Sequence, residues 1–264
     1  MDNMRNDPLP AMPTGSLTQT RRLALSAALN FMGVGAALLL GAAVLAEHMP
    51  VAGDSFYFYK AVGGYLLLLL PLLACLNAHR PHTRFGSANT VTLVRAAIVC
   101  LLASLYGEQW GHNALVVTAV AIFALTLDGV DGWLARLRGT ESRFGARFDM
   151  ETDALLVLVL SMLAWESGHA GAWVLAAGAM RYAFLAAGLG WPWLDRPLPA
   201  SRRRKTICVL QLVALIACVA PILPDALRTA AGVAAVLMVS ASFATDVAWL
   251  FQRRHLLPAD GDAA

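Results

Sequence analysis

The sequence predicts an all-α integral membrane protein with about eight membrane-spanning helices. Of its 264 residues, 58% are hydrophobic and only 14% are charged, whereas a soluble domain carries about 25% charged residues. A helix needs about 20 mostly apolar residues to cross the hydrocarbon of a bilayer. The segments that approach this length are residues 23–46, 56–78, 90–106, 113–136, 147–166, 171–191, 206–223 and 228–251.

The basic residues beside these segments predict how the chain is oriented. Most of the 20 Lys and Arg residues lie before the first segment, around the connections that follow every second segment, or after the last one. By the positive-inside rule, these positions face the cytoplasm. We therefore predict a protein of the cytoplasmic (inner) membrane with both termini inside. Residues 1–20 are predicted to be a disordered cytoplasmic tail, and residues 255–264 a C-terminal tail.

Four aspartates interrupt the apolar sequence of the fourth and fifth segments. Asp128 and Asp131 are three residues apart and Asp149 and Asp153 are four apart, so each pair lies on one face of its helix. At 1.5 Å per residue, Asp131 and Asp149 lie roughly 6–8 Å below the connecting loop, and Asp128 and Asp153 roughly 12 Å below it. If the two helices are antiparallel neighbours, Asp131 is level with Asp149 and Asp128 with Asp153.

Carboxylates that converge at this depth cannot all stay ionised without a cation. Hard divalent ions such as Mg²⁺ or Mn²⁺ take oxygen ligands, and two of them neutralise four carboxylates. A pair of metal ions is a common arrangement for displacement at phosphorus, and the arginine-rich connecting loop would attract phosphate. The pattern therefore predicts a phosphoryl-transfer enzyme. The alternatives from another class are a cation transporter, which typically places its carboxylates near the midplane, and an inactive membrane scaffold.

The spacing of these residues resembles the signature of the CDP-alcohol phosphatidyltransferases. From Asp128 to Asp153 the chain reads Asp-x-x-Asp-Gly-x-x-Ala-Arg-x(8)-Gly-x(3)-Asp-x(3)-Asp. Upstream, Asn89, Thr92 and Arg95 resemble the Asn-x-x-Thr-x-x-Arg pattern that opens the first core helix of that family. The resemblance implies a six-helix catalytic core over residues 84–254, preceded by two added helices over residues 21–80.

The resemblance also implies a reaction and a role for each motif residue. An alcohol attacks the lipid-linked phosphorus of a CDP-activated lipid such as CDP-diacylglycerol, and CMP is released, as a step of phospholipid biosynthesis. Asp153 would be the general base, and the ligands of two Mg²⁺ or Mn²⁺ ions would be Asp128, Asp131, Asp149 and Asp153. The CDP-lipid would be bound by Asn89, Thr92, Gly132, Ala135, Arg136 and Gly145.

Some of these residues have a structural interpretation as well. Asn89 could cap a helix and Thr92 could bond back to its own helix. The small residues could serve helix packing, and Arg136 could set the topology.

Residues outside the motif would bind the acceptor. Family members with phosphorylated acceptors have basic residues near Arg204 and Lys205, and Arg181, in mid-segment, needs a carboxylate or a substrate phosphate nearby. We therefore predict glycerol 3-phosphate, as in phosphatidylglycerophosphate synthase-like members, with inositol phosphate, inositol, serine or choline as alternatives. The basic cluster could instead anchor the protein to lipid headgroups.

The remaining expectations concern partners. Membrane lipids are expected partners and nucleic acid is not, and the resemblance allows a homodimer. Asp246 in the last segment is a candidate partner for a core arginine.

Overall fold

The structure is a computed structural model that describes residues 14–48, 56–68, 70, 85–138, 142–196, 198–199 and 201–254. Within these residues it contains eight α-helices and no β-strand, in the order of the eight predicted segments, which confirms the all-α membrane architecture. The helices are α1 (Thr14–His48), α2 (Phe56–Leu67), α3 (Ser87–Ser104), α4 (Ala114–Arg138), α5 (Arg143–Glu166), α6 (Leu175–Gly190), α7 (Arg202–Val219) and α8 (Asp225–Gln252).

Several helices extend beyond the ends that hydropathy predicts. Helix α1 begins at Thr14, so residues 14–20 of the predicted disordered tail are helical, while residues 1–13 lie outside the described residues. Helix α7 begins at Arg202, so the basic cluster forms its first turn instead of the connection before it. Hydropathy marks where apolar side chains stop, whereas backbone hydrogen bonds continue a helix into the polar region until it is capped.

Among the residues that the structure describes, five helical stretches are long and apolar enough to cross a membrane: residues 21–47, 87–104, 110–130, 172–190 and 225–252. Helices α5 and α7 do not meet this criterion, because each carries several charged residues in its first half. The described part of α2 is too short to span a bilayer, and residues 71–78 of its predicted segment lie outside the described residues. Helices α5 and α7 carry part of the predicted site, including Asp149, Asp153 and Lys205.

Helix α3 lies at the centre of the bundle and packs against α1, α2, α4 and α5. Helix α5 also packs against α6 and α7, and α7 packs along α8. Helices α4 and α5, in contrast, have no extensive packing with each other among the described residues. The condition that the two aspartate-bearing helices are antiparallel neighbours is therefore not met by extensive packing among the described residues, where both helices pack against α3.

Helix α1 is attached to the start of α3, and helix α2 to the residues just after its end. At its start, the backbone N–H of Phe85 donates to Ser26 Oγ (3.2 Å) and Thr90 Oγ1 donates to Asn30 Oδ1 (2.7 Å). At the other end, Lys60 of α2 donates to the carbonyl of Tyr106 just after α3 (2.7 Å). Hydrogen bonds from α1 and α2 therefore hold in place the helix that carries the Asn-x-x-Thr-x-x-Arg pattern.

We predict that Gly178→Ala destabilises the bundle, because at Gly178 helix α6 lies close against the backbone of α5. A Cβ at this position would lie 2.5 Å from Leu158 Cα, so the two backbones would have to separate, and overpacking of this kind costs about 1–3 kcal/mol. Thermal unfolding in detergent measures the effect. Gly63→Ala is the control, since a Cβ there meets nothing within 4 Å. A midpoint for Gly178→Ala equal to that of the wild type would contradict the prediction.

Candidate active site

Three aspartates from two helices meet at one buried arginine. Arg95 of α3 is 0% exposed. Its Nη1 lies 2.5 Å from Asp149 Oδ1, and its Nη2 lies 3.1 Å from Asp128 Oδ1 and also bonds to the Asp153 carboxylate. The guanidinium thus contacts both α4 and α5, which have no extensive packing with each other among the described residues.

The structure agrees with the predicted pairing of the aspartates by depth. The paired carboxylates meet at Arg95 of α3. Asp128 and Asp153 share the same guanidinium nitrogen, as expected for two residues at one level. Their side chains are 18% and 20% exposed, whereas Asp149, predicted to be nearer the loop, is 37% exposed. The side chain of Asp131, which lies on α4, is outside the described part of the structure.

Sequence spacing assigns Arg95 no role in the site, although its side chain contacts three of the aspartates. Arg95 ends the Asn-x-x-Thr-x-x-Arg pattern, and the feature that marks it in the sequence is a charge within an apolar segment. Ionisable residues inside a membrane usually face the bundle interior and pair with one another. The four nearby aspartates were the available partners, but helix spacing alone does not say which helix faces them.

The donor set of this cluster fits a hard divalent metal ion. One carboxylate oxygen each from Asp128, Asp149 and Asp153 lies within 4.8 Å of the others. At an effective dielectric constant of 20, two charges at that separation repel by about 3 kcal/mol. Arg95 supplies one positive charge, so it does not neutralise all three carboxylates by itself. Oxygen ligands are those that Mg²⁺ and Mn²⁺ prefer.

Two of the residues predicted to bind the CDP-lipid, Asn89 and Gly145, form a close contact between α3 and the start of α5. Asn89 and Thr92 are buried, and they donate to the carbonyls of Phe85 (2.6 Å) and Ala88 (3.2 Å). Thr92 therefore bonds back to its own helix, as its structural interpretation predicts. Asn89 does not cap the helix, because the N-cap residue is Gly86 and no side chain caps it; its amide bonds to a preceding carbonyl instead. A Cβ on Gly145 would lie 2.7 Å from Asn89 Oδ1, so glycine allows this approach.

The start of α5 is capped by a residue that was not predicted. The side chain of Ser142 accepts a hydrogen bond from the backbone N–H of Gly145 (3.0 Å), which satisfies one of the free donors of the first turn. Gly145 is thereby fixed by both its backbone and its contact with Asn89. Ala135 and Arg136 lie on α4, but their side chains are outside the described residues.

A cavity of about 430 Å³ opens beside the aspartates and is lined by residues of α4 to α8. This volume is in the range of small-molecule sites. The structure brings seven predicted site residues to its wall, namely Asp128, Gly132, Asp149, Asp153, Arg181, Arg204 and Lys205. Carboxylates from α4 and α5 and cations from α6 and α7 thus line one space.

The cations of this cavity differ in their partners. Arg181 pairs with Glu151, with Nη2 2.5 Å from Oε1, so its carboxylate partner comes from within the aspartate motif. Asp246 pairs with Arg203 (2.6 Å) and Arg204 (3.5 Å), which confirms that it has an arginine partner. Lys205 makes no ion pair within the part of the chain that the structure describes.

Comparison with known families agrees with this site. A family model described as CDP-alcohol phosphatidyltransferase matches residues 85–246, from the residues before α3 to Asp246 in α8. This is more than half of the chain, and the chain belongs to the CDP-alcohol phosphatidyltransferase family. No curated protein and no solved structure matches it.

Membership establishes the class of protein. Members are integral membrane transferases of substituted phosphate groups in phospholipid biosynthesis, and they generally depend on a divalent metal ion. The match includes all four aspartates and helices α3 to α8, and it leaves α1 and α2 outside. It extends to the family as a whole and gives no support to the phosphatidylglycerophosphate synthase-like subtype.

We predict that Gly145→Ala lowers CMP release from a CDP-lipid, because the added Cβ would displace Asn89 from α5. A displacement of about 1 Å near reacting groups can reduce a rate roughly 100-fold. Gly129→Ala is the matched control, since it adds a Cβ to a glycine of the other motif helix and meets nothing within 4 Å. Equal rates for the two variants would contradict a role for Gly145 in the site.

Proposed function

We propose that this protein transfers a phosphatidyl-type group from a CDP-activated lipid, such as CDP-diacylglycerol, to an alcohol at the cytoplasmic face of the inner membrane, with release of CMP. The observation that carries the proposal is the cluster of Asp128, Asp149 and Asp153, whose oxygens lie within 4.8 Å of one another at the wall of a cavity. Membership of the family supports transfer from a CDP-alcohol.

The donor half of the reaction would depend on the motif residues. Asp128, Asp131, Asp149 and Asp153 would hold two Mg²⁺ or Mn²⁺ ions. Such ions, when bound, neutralise the pyrophosphate of the donor and make CMP a better leaving group. The CDP part of the donor would be bound by Asn89, Thr92, Gly132, Ala135, Arg136 and Gly145.

The chemical step would use Asp153 as the general base. The acceptor hydroxyl oxygen forms a bond to the lipid-linked phosphorus, the bond from this phosphorus to the CMP oxygen breaks, and CMP leaves with the electron pair. The hydroxyl proton passes to Asp153. Arg95 contacts one oxygen of Asp153, Oδ1, and a carboxylate has a second oxygen that can take a proton. Asp153 also lines the cavity, where an acceptor can reach it.

The charges around the cavity favour an acceptor that carries a phosphate. Arg203 and Arg204 share Asp246, Arg181 pairs with Glu151, and Lys205 adds a further cation. This side of the cavity therefore has two more positive than negative charges, which matches a phosphate monoester of about −1.5 to −2 at pH 7. We propose glycerol 3-phosphate as the acceptor. Inositol phosphate shares this chemistry, whereas inositol, serine and choline do not require the surplus charge.

We predict that Asp153→Asn lowers metal-dependent CMP release at least about 100-fold, since the amide cannot accept the proton and general base catalysis contributes roughly 10²–10⁴-fold. The assay uses purified protein, CDP-diacylglycerol and glycerol 3-phosphate. Asp225→Asn is the control, because the Asp225 side chain is 83% exposed and lies at the opposite end of the bundle. A rate for Asp153→Asn equal to that of the wild type would show that Asp153 is not the general base. Absence of release by the wild type with every alcohol tested would favour a transporter or an inactive scaffold.

We predict that Lys205→Met raises the KM for glycerol 3-phosphate at least about tenfold, the cost of losing roughly 1.4 kcal/mol of binding, and leaves the KM for CDP-diacylglycerol unchanged. Initial rates with each substrate varied in turn measure both constants. Arg202→Met is the matched control, since Arg202 is an exposed cation of the same helical turn that does not line the cavity. Preferential use of serine, inositol or choline, with no effect of Lys205→Met, would contradict a phosphorylated acceptor.

A further inference from the structure

We infer that Arg95 is a positioning residue that holds the metal-binding carboxylates of two separate helices in one place. The inference rests on the proposed function, because it assigns Arg95 a task at the proposed metal site. It goes beyond that function in naming the residue on which the geometry of the ligands depends.

The packing of the helices around α3 supports this role. Helices α4 and α5 supply the carboxylates but have no extensive packing with each other in the described residues, whereas α3 packs against both. The side chain of Arg95 on α3 contacts Asp128 on one helix and both Asp149 and Asp153 on the other. The relative position of the ligands is therefore set across Arg95.

The second argument is the shape of the guanidinium group. It is planar, always charged, and presents its N–H donors in a rigid fork. Nη1 is directed to Asp149, and Nη2 to Asp128 and Asp153. A lysine ammonium is a point charge on a flexible stem and cannot reproduce this division between two nitrogens.

The third argument is that Arg95 and a metal ion can share the same carboxylates. Each of the three ion pairs uses the Oδ1 atom of its aspartate, and a carboxylate has two oxygens with about four acceptor positions. Outer partners of this kind orient the ligands of a metal ion, and their loss typically weakens metal binding or activity roughly 10- to 100-fold.

A competing effect has the opposite sign. A positive charge beside a cation site repels the incoming ion, so the removal of Arg95 by itself would strengthen metal binding. We expect orientation to dominate, because the three carboxylates repel one another and come from helices without extensive mutual packing in the described part of the chain. Without Arg95 they can move apart, and the metal ion must then bring them together again.

Mn²⁺ binding measured by the electron paramagnetic resonance signal of the free ion tests this inference on the full chain in detergent. Arg95→Met is expected to weaken Mn²⁺ binding roughly 10- to 100-fold, and Arg95→Lys to weaken it in the same direction. The matched control is Arg228→Met, which removes a buried arginine that donates to the carbonyls of Cys218 and Val219, far from the aspartates. It is expected to lower thermal stability but to change Mn²⁺ affinity less than about twofold, since distant sites act independently.

The outcomes separate the inference from the function on which it rests. Mn²⁺ binding by Arg95→Met as tight as that of the wild type, or tighter, would overturn the inference while leaving the metal site intact. Where Arg95→Met does not fold, the same comparison with Arg95→Lys decides. A wild-type protein that binds no Mn²⁺ would overturn the proposed metal site itself, and with it the task assigned to Arg95.

Discussion

The arrangement of this protein depends on compensating negative charge inside a membrane. Carboxylates are costly in hydrocarbon unless they are paired or bind a cation. Asp128, Asp149 and Asp153 are placed around Arg95, and Glu151 in the same motif is placed against Arg181. The pairing of each charge determines which helix faces must meet, so the polar site organises the bundle as much as the apolar core does.

The position of α3 follows from this requirement. It carries Arg95 between the two aspartate-bearing helices, and it is held at both ends by α1 and α2 through side chains such as Asn30 and Lys60. The lack of a side chain at Gly145 and Gly178 allows α5 to lie close to Asn89 of α3 on one side and to the backbone of α6 on the other. The cavity lies where these helices, together with α7 and α8, leave space beside the carboxylates.

Local spacing predicted much of this arrangement, because helical periodicity fixes which residues share a face and a depth. The eight helices and the shared depth of Asp128 and Asp153 follow from such arguments. Packing between helices could not be read in the same way: hydropathy does not reveal that α3 packs against both α4 and α5, or that Glu151 is the partner of Arg181. The helix ends at Thr14 and Arg202 were missed because helices continue past the point where apolar side chains stop.

The central claim is that carboxylates from two helices, held by Arg95, bind divalent metal ions beside the donor nucleotide. A crystal structure with Mn²⁺ and CDP, with anomalous scattering recorded from manganese, tests it most directly. The account predicts anomalous peaks between the carboxylates of Asp128, Asp149 and Asp153, with Arg95 still in contact with them. Anomalous peaks elsewhere, or none at the cluster while CDP is bound, would contradict it.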